Sequence, residues 1–218
     1  MSVIKVDLID KMGDDLRVAN VARVSFDNWK EEFDEKDVRL IQYLAKHEHE
    51  TPFRHCQITV RCECPVFIAR QLGKHQVGMS WNEVSRRYVD SGIEFYKQDG
   101  WRKRPEGGIK QGSSEELVKE LSGMDIDTTV DDFNQRALFL YNSMLENGIA
   151  PEVARQVLPQ SMMVTWIWTG SLVSFFNVYR LRIDNHAQKE AQIFAQELEK
   201  AIAGSFPECW SALKEGKE

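Results

Sequence analysis

The sequence has no apolar run long enough to cross a membrane. Its most apolar stretches, PVFIA near residue 65 and MMVTWIW near residue 162, fall far short of the roughly 20 residues that a helical span requires. The start, MSVIKVDLIDKMGDD, has no basic region followed by a long apolar stretch, so no secretory signal is read there and a cytoplasmic location without a membrane partner is the expectation. Neither GxxxxGK[ST] nor GxGxxG occurs, which removes the P-loop and the usual dinucleotide-binding βαβ unit. HEHE at residues 47–50 lacks the i, i+4 histidine pair of the HExxH zinc motif, and the other histidines are scattered, so no metal site is readable. The four cysteines show neither CxxC spacing nor a disulfide framework. Positive charge is also in deficit: 28 basic against 34 acidic residues give a net charge of −6. The surface as a whole repels polyanions, and nucleic acid is not an expected partner.

What is present fits one domain spanning residues 1–218, with no internal repeat and no linker. At this size folding hides roughly 70% of the surface of the unfolded chain, enough to need no staple. DVRLIQYLAKH, residues 37–47, puts Val38, Ile41, Leu44 and Ala45 on one helical stripe. HETPF interrupts it, and a strand follows over 55–64, where Cys56, Ile58, Val60, Cys62 and Cys64 share one face. The cysteines there are expected to be small core residues. The opposite face, with His55, Gln57, Thr59, Arg61 and Glu63, either is solvated or lines a site. Pro65 opens a short helix, PVFIARQLGKH, and the irregular GMSWNEVSRRY predicts a loop and then a short helix.

Residues 97–113 read as a long exposed loop, rich in glycine and charge. A helix over 128–147 places Val130, Phe133, Ala137, Leu140 and Met144 near one face and ends at Asn147-Gly148. PEVARQVL is a second short helix, SMMVTWIWTG a buried strand, and helical spacing runs from about Ser171 to Ile202. The fold class is α+β, a small central sheet rich in antiparallel pairs flanked by helices.

Two constellations carry chemistry. RQLGKHQVGMSWNEVSRRYVD concentrates Arg70, Lys74, His75, Arg86 and Arg87 with Gln71, Gln76, Asn82, Glu83 and Ser85. In an acidic protein, charge of one sign gathered so closely suits a phosphate-bearing ligand, since arginine can grip phosphate through two hydrogen bonds. A solvated charged face is the plain alternative. In RLRIDNHAQ, Arg182 and His186 are i and i+4, which would stack them on one helical face with Glu190 further along the stripe. A surface ion pair for Arg182, a packed histidine for His186 and an ordinary helix-face position for Arg155 are the corresponding plain alternatives.

HETPFRH at 49–55, RQ…KHQ…WNEVSRRY, WRKRPEGGIKQGS at 101–113, PEVARQVLP at 151–159 and RLRIDNHAQ at 180–188 resemble the flavin-dependent thymidylate synthases, in that family's order and over nearly the whole chain. The resemblance implies a homotetramer with active sites built from several chains. It implies FAD reduced by NADPH, methylenetetrahydrofolate as one-carbon donor and dUMP as acceptor. Gln71, Glu83, Ser85, Arg86, Arg87 and Arg155 match the dUMP-binding positions, and Arg182 the catalytic arginine on the uracil ring. His55, Lys74, His75, Gln76, Asn82, Glu83, Asn177 and His186 match FAD-binding positions.

The resemblance implies a route without a cysteine nucleophile, in keeping with cysteines that face a core. The chain departs from the family where its usual Arg-His-Arg is Lys74-His75-Gln76, and where Ser171 and Val173 stand in place of asparagine and arginine. The lysine keeps a charge without the planar fork, and the glutamine loses one. Two other readings stay open on the residues alone: a different flavin-dependent oxidoreductase acting on a phosphorylated substrate, and a nucleotide-binding regulator without catalysis.

Overall fold

The computed structural model describes residues 3–106 and 112–216. In chain order, β1 (Lys5–Met12) leads into α1 (Asp15–Arg23) and α2 (Glu35–Lys46); β2 (Gln57–Pro65) then runs directly into α3 (Val66–Leu72) and on to β3 (Met79–Glu83). Four two-residue strands follow, β4 (Trp101–Arg102), β5 (Leu117–Val118), β6 (Glu120–Leu121) and β7 (Met124–Asp125). The remainder is α4 (Ile126–Glu146), the one-turn α5 (Pro151–Ala154), β8 (Met163–Ser171), α6 (Leu172–Ile183), α7 (Lys189–Ile202) and α8 (Pro207–Glu215).

The central sheet has the order β1-β2-β8-β3, with every neighbouring pair antiparallel. The α+β class and the antiparallel sheet expected from the sequence are both present. β2 and β8 pair over their whole length, from Gln57 opposite Ser171 to Pro65 opposite Met163. Because side chains alternate across a strand, this register sends Ile58, Val60, Cys62 and Cys64 to the same side as Val164, Trp166 and Trp168, and all of these are buried. Helices α6, α7 and α8 cover that side, contributing Phe175, Phe194, Leu198, Ile202 and Trp210 to the same core. Trp166 lies between Trp81, stacked at 4.0 Å between centroids, and Phe194 at 6.0 Å. The other side of β2 and β8 carries the exposed Arg61 and Ile167 with the half-buried Thr59 and Thr169.

Local signals explain the helix starts. Asp14 caps α1 by accepting from Arg17 N–H at 2.8 Å, and Asp34 and Asp37 form a reciprocal capping box on α2. Asp37 is fully buried, where Arg23 and Lys30 neutralise it.

Three expectations need correction. The segment after Gly78 is a strand, not a loop and short helix: Met79–Glu83 pairs with β8, and Met79 and Trp81 pack on the core. Gly78 makes the turn at φ +68°, and at Gly170, opposite Met79, a Cβ would push the Met79 side chain aside and crowd the Gly78 carbonyl. The 97–113 segment is not simply an exposed loop, since Trp101 and Arg102 pair with β5 and Arg102 reaches a buried carboxylate; residues 107–111 lie outside the described residues. On α4 the buried positions are Ile126, Asn134, Ala137 and Tyr141, whereas Phe133 is 59% exposed, Phe139 74% and Leu140 48%. Two of the five residues of the apolar stripe read from the sequence, Phe133 and Leu140, therefore face outward, joined by Phe139 from beside it. None of the helices among the described residues is long and apolar enough to cross a membrane.

Candidate functional site

The site is assembled where α3 leaves the sheet and β3 returns to it. Pro65 caps the start of α3 in an extended conformation, and Gly73 closes its end, donating to the Ala69 carbonyl at 2.8 Å. The turn Lys74-His75-Gln76 follows. Three openings meet here: a groove of about 1450 Å³ and two clefts of about 410 Å³ each, and Arg70 borders all three.

The groove is lined by Gln71, Lys74, Gln76, Arg180, Arg182, His186, Gln188 and Lys214, among others. One cleft lies between His75, Gln76, Trp81, Glu83 and Trp168, and the other between Glu83, Ser85, Arg86, Arg155 and Gln160. Of the cations read together in an acidic chain, Arg70 and Lys74 share the groove, to which α6 adds Arg180 and Arg182, whereas Arg86 borders a separate cleft and Arg87 lines none of the three openings. Such a lining suits a ligand with phosphate groups.

Arg182 is half-buried, and its Nε donates to His75 Nε2 at 3.2 Å. That bond requires a neutral imidazole. Burial first, and the neighbouring guanidinium second, push the His75 pKa down from 6.5 to about 4, so the ring stays neutral near pH 7. The imidazole engages the guanidinium's inner edge, which leaves the two terminal amino groups for a ligand. Glu83 is exposed by surface area, yet it borders both smaller clefts, and loss of water there raises its carboxyl. Trp81 Nε1–H at 3.3 Å and the Arg155 charge work against that shift.

Other expected residues are placed differently. Ser85 Oγ accepts from the Arg87 backbone N–H at 3.2 Å, and the Arg87 side chain lies 3.5 Å from Glu152 at the protein surface. Arg86 turns its guanidinium back onto the carbonyls of Val89, Ser91 and Gly92, so it ties down the chain after β3 while bordering a cleft. α6 stops at Ile183, so Arg182 and His186 do not stack as i, i+4 partners; His186 sits in the following turn, its N–H on Asp184 Oδ1 at 2.7 Å, and both line the groove. α3 likewise stops at Leu72, short of Lys74, yet Arg70 and Lys74 still line that groove together.

His55, in the turn before β2, Asn82, on the outward side of β3, and Asn177, beside Leu44 and Phe53, do not line these three openings. Where the sequence departs from the resemblance, Ser171 caps α6 by accepting from Ser174 N–H at 3.3 Å, and Val173 is buried in the core.

All four cysteines are free and buried. Burial pushes the Cys56 thiol up to about 11 and those of Cys62, Cys64 and Cys209 up as well, so none is an activated nucleophile. Among the described residues there is no cluster of metal-binding side chains.

Sequence reasoning placed Arg70 in the cationic cluster without giving it a ligand, and it left Arg180 and Gln188 out of the site. It also left out Glu190, which is 2% exposed and paired with Arg102 at 2.6 Å.

Comparison with known proteins now adds to the geometry. Residues 7–208 match the family model described as thymidylate synthase complementing protein. The chain is 39% identical over 202 residues to a flavin-dependent thymidylate synthase of Thermosipho melanesiensis, covering 92% of this chain and 86% of the relative. With one from Thermotoga neapolitana it shares 36% identity over 208 residues, 95% and 89% of the two chains. Its fold is similar to the crystal structure of the UMP/dUMP methylase PolB from Streptomyces cacaoi bound with 5-Br dUMP, at TM-score 0.84 and 29% identity, covering 98% of this chain and 96% of that one. With this cover and identity on top of the cation-lined openings around Arg70 and the Arg182–His75 pair, the chain belongs to the flavin-dependent thymidylate synthase family.

Proposed function

We propose that this protein, in the cytoplasm, converts dUMP to dTMP with methylenetetrahydrofolate as one-carbon donor, FAD as bound cofactor and NADPH as reductant. The observation that carries this reading is the half-buried Arg182 guanidinium, held by a neutral His75 where cation-lined openings meet. Arg182 grips the uracil ring, its positive charge set where negative charge develops on a carbonyl oxygen as the ring reacts. Arg87, Ser85 and Arg155 take the nucleotide phosphate, with Gln71 and Glu83 at the ribose side and Arg86 holding the adjoining loop.

The groove is large enough to take an anionic dinucleotide cofactor beside the nucleotide: Arg70, Lys74, Arg180 and Lys214 line it together with Gln71 and Arg182. Lys74, Gln76 and His186 on the groove, with His75 and Glu83 on the adjoining cleft, would hold FAD. When bound and reduced, FAD supplies the hydride that completes the methyl group, and folate leaves as tetrahydrofolate. The protein's own work is to bind, orient and polarise, and the buried thiols take no part.

His55, Asn82 and Asn177 serve the same cofactor in a site completed by neighbouring copies. The outward apolar face of α4, with Phe133, Phe139 and Leu140, supports such an association as a homotetramer.

Analysis of the folate product tests the proposal. Turnover of dUMP should consume NADPH and yield tetrahydrofolate. Dihydrofolate as the product, with NADPH untouched, assigns the reducing electrons to folate and overturns the flavin route.

A further inference from the structure

A chain of polar side chains runs from the groove wall to a buried carboxylate, and its direction is fixed at the buried end. Glu190, in the first turn of α7, is 2% exposed. Arg102 Nη2 and Gln98 Nε2 donate to its Oε1 at 2.6 and 2.5 Å, and Gln188 Nε2 donates to its Oε2 at 2.8 Å. Burial pushes the Glu190 carboxyl up, but the bonds from Arg102, Gln98 and Gln188 outweigh it, and the net effect keeps the group ionised.

An ionised carboxylate can only accept hydrogen bonds. Gln188 must therefore turn its NH2 toward Glu190 and its carbonyl oxygen away. That oxygen accepts from Gln71 Nε2 at 2.5 Å. Gln71 in turn has its NH2 committed, and its Oε1 is the remaining end of the chain. None of the described residues donates to that oxygen, and Gln71 lines the groove. An isolated glutamine amide presents donor or acceptor with equal ease, whereas this one has its orientation dictated from two residues away.

We propose that Glu190 is a positioning residue that fixes the polarity of the Gln188–Gln71 relay, so that the groove offers a hydrogen-bond acceptor to a donor group of the nucleotide substrate. This inference rests on the dUMP reading above. Two donors of dUMP have the required chemistry, the ribose 3′-hydroxyl and the uracil N3–H, and the test separates them. The same carboxylate fastens β4 to α7 through Arg102, so the segment before residue 107 is anchored to the groove wall by the group that orients Gln71.

The experiment is equilibrium binding of three ligands to FAD-loaded protein: dUMP, 2′,3′-dideoxyuridine 5′-monophosphate and N3-methyl-dUMP. The unaltered protein should prefer dUMP over one of the two analogues by about tenfold, the effect of one hydrogen bond, and the analogue that suffers names the donor. In Glu190→Gln the residue can donate as well as accept, the relay can reverse, and that preference should shrink to about twofold. Glu190→Asp keeps an acceptor-only group and should retain most of it. If Glu190→Gln does not fold, Gln188→Leu cuts the relay while leaving the Glu190–Arg102 pair, and the preference should fall in the same way.

A merely structural role weakens all three ligands equally and leaves the ratio unchanged; that result in Glu190→Gln or Gln188→Leu overturns the inference. So does an unaltered protein that binds dUMP without preferring it to either analogue. Failure of the unaltered protein to bind dUMP overturns the functional reading itself, which is a distinct outcome.

Discussion

Two strands flank β8, and they do different work. β2 pairs with it over nine positions from Gln57 to Pro65 and sends Ile58, Val60, Cys62 and Cys64 into the core. β3 pairs over five, from Met79 to Glu83, with Trp81 stacked on Trp166 and its remaining residues partly or well exposed. The first strand is long, buried and chemically inert. The second is short and lies at the sheet edge, and beyond it the chain goes straight into Ser85 and Arg86 beside a cleft. Pairing with the same central strand thus gives rigidity on one side, and on the other an edge from which polar side chains reach a ligand. The reactive-looking thiols fall on the inert side and the cations on the other.

Substitutions on the two sides should separate activity from stability. The largest effect is expected for Arg182→Ala: dTMP formation should fall about a thousandfold, the scale of losing a preorganised charge at the reacting group, with the melting temperature little changed. Retained turnover in that variant would remove the site from this side of the molecule. Next comes Ile58→Ala on β2, which should lower the unfolding free energy by about 2–4 kcal/mol in a denaturant titration, while kcat per folded molecule stays the same. A drop in kcat without loss of stability would break the division between the strands.

A smaller effect is expected at His75. Its folded pKa, about 4, lies below its ordinary 6.5. Between those values the unfolded chain binds the proton more readily. Stability from the neutral ring is therefore complete above pH 6.5 and is lost as the pH falls toward 4, by about 1–2 kcal/mol once partial exposure is allowed for. Denaturant titrations across that window should show a steeper loss for the unaltered protein than for His75→Gln, and parallel curves would contradict the assignment. Smallest of all is Cys209→Ala, which should cost about 1 kcal/mol of stability and leave turnover intact; a folded but inactive variant would restore a thiol mechanism.

The same contrast explains what could be read from the sequence. β2 was legible because its alternation is strict, and β8 because aromatic and β-branched residues crowd MMVTWIW. β3 was not, since GMSWNE has no clear period and becomes a strand through its pairing with β8 and the packing of Trp81, a tertiary effect that overrides local preference. The edge strand β1 escaped for a similar reason: charge is interleaved through KVDLIDKM, and only Val6 of it is buried.

At the site, local clustering pointed to Gln71, Lys74, His75, Glu83 and Ser85. Spacing misjudged α6, whose helix ends at Ile183 before it can stack His186 on Arg182. The Arg102–Glu190 pair and the Gln71–Gln188 bond join residues far apart in the chain, and no local pattern announces them. On α4 the apolar stripe was visible, but which part of it meets the core depends on the neighbouring elements.

The most direct test follows tritium release from dUMP labelled at C5, in folded, FAD-loaded protein supplied with NADPH and methylenetetrahydrofolate. Replacement of that hydrogen by a methyl group must release the label. The account predicts release that depends on both co-substrates and is lost in Arg182→Ala. No release from the unaltered protein, or release equal in Arg182→Ala, contradicts it.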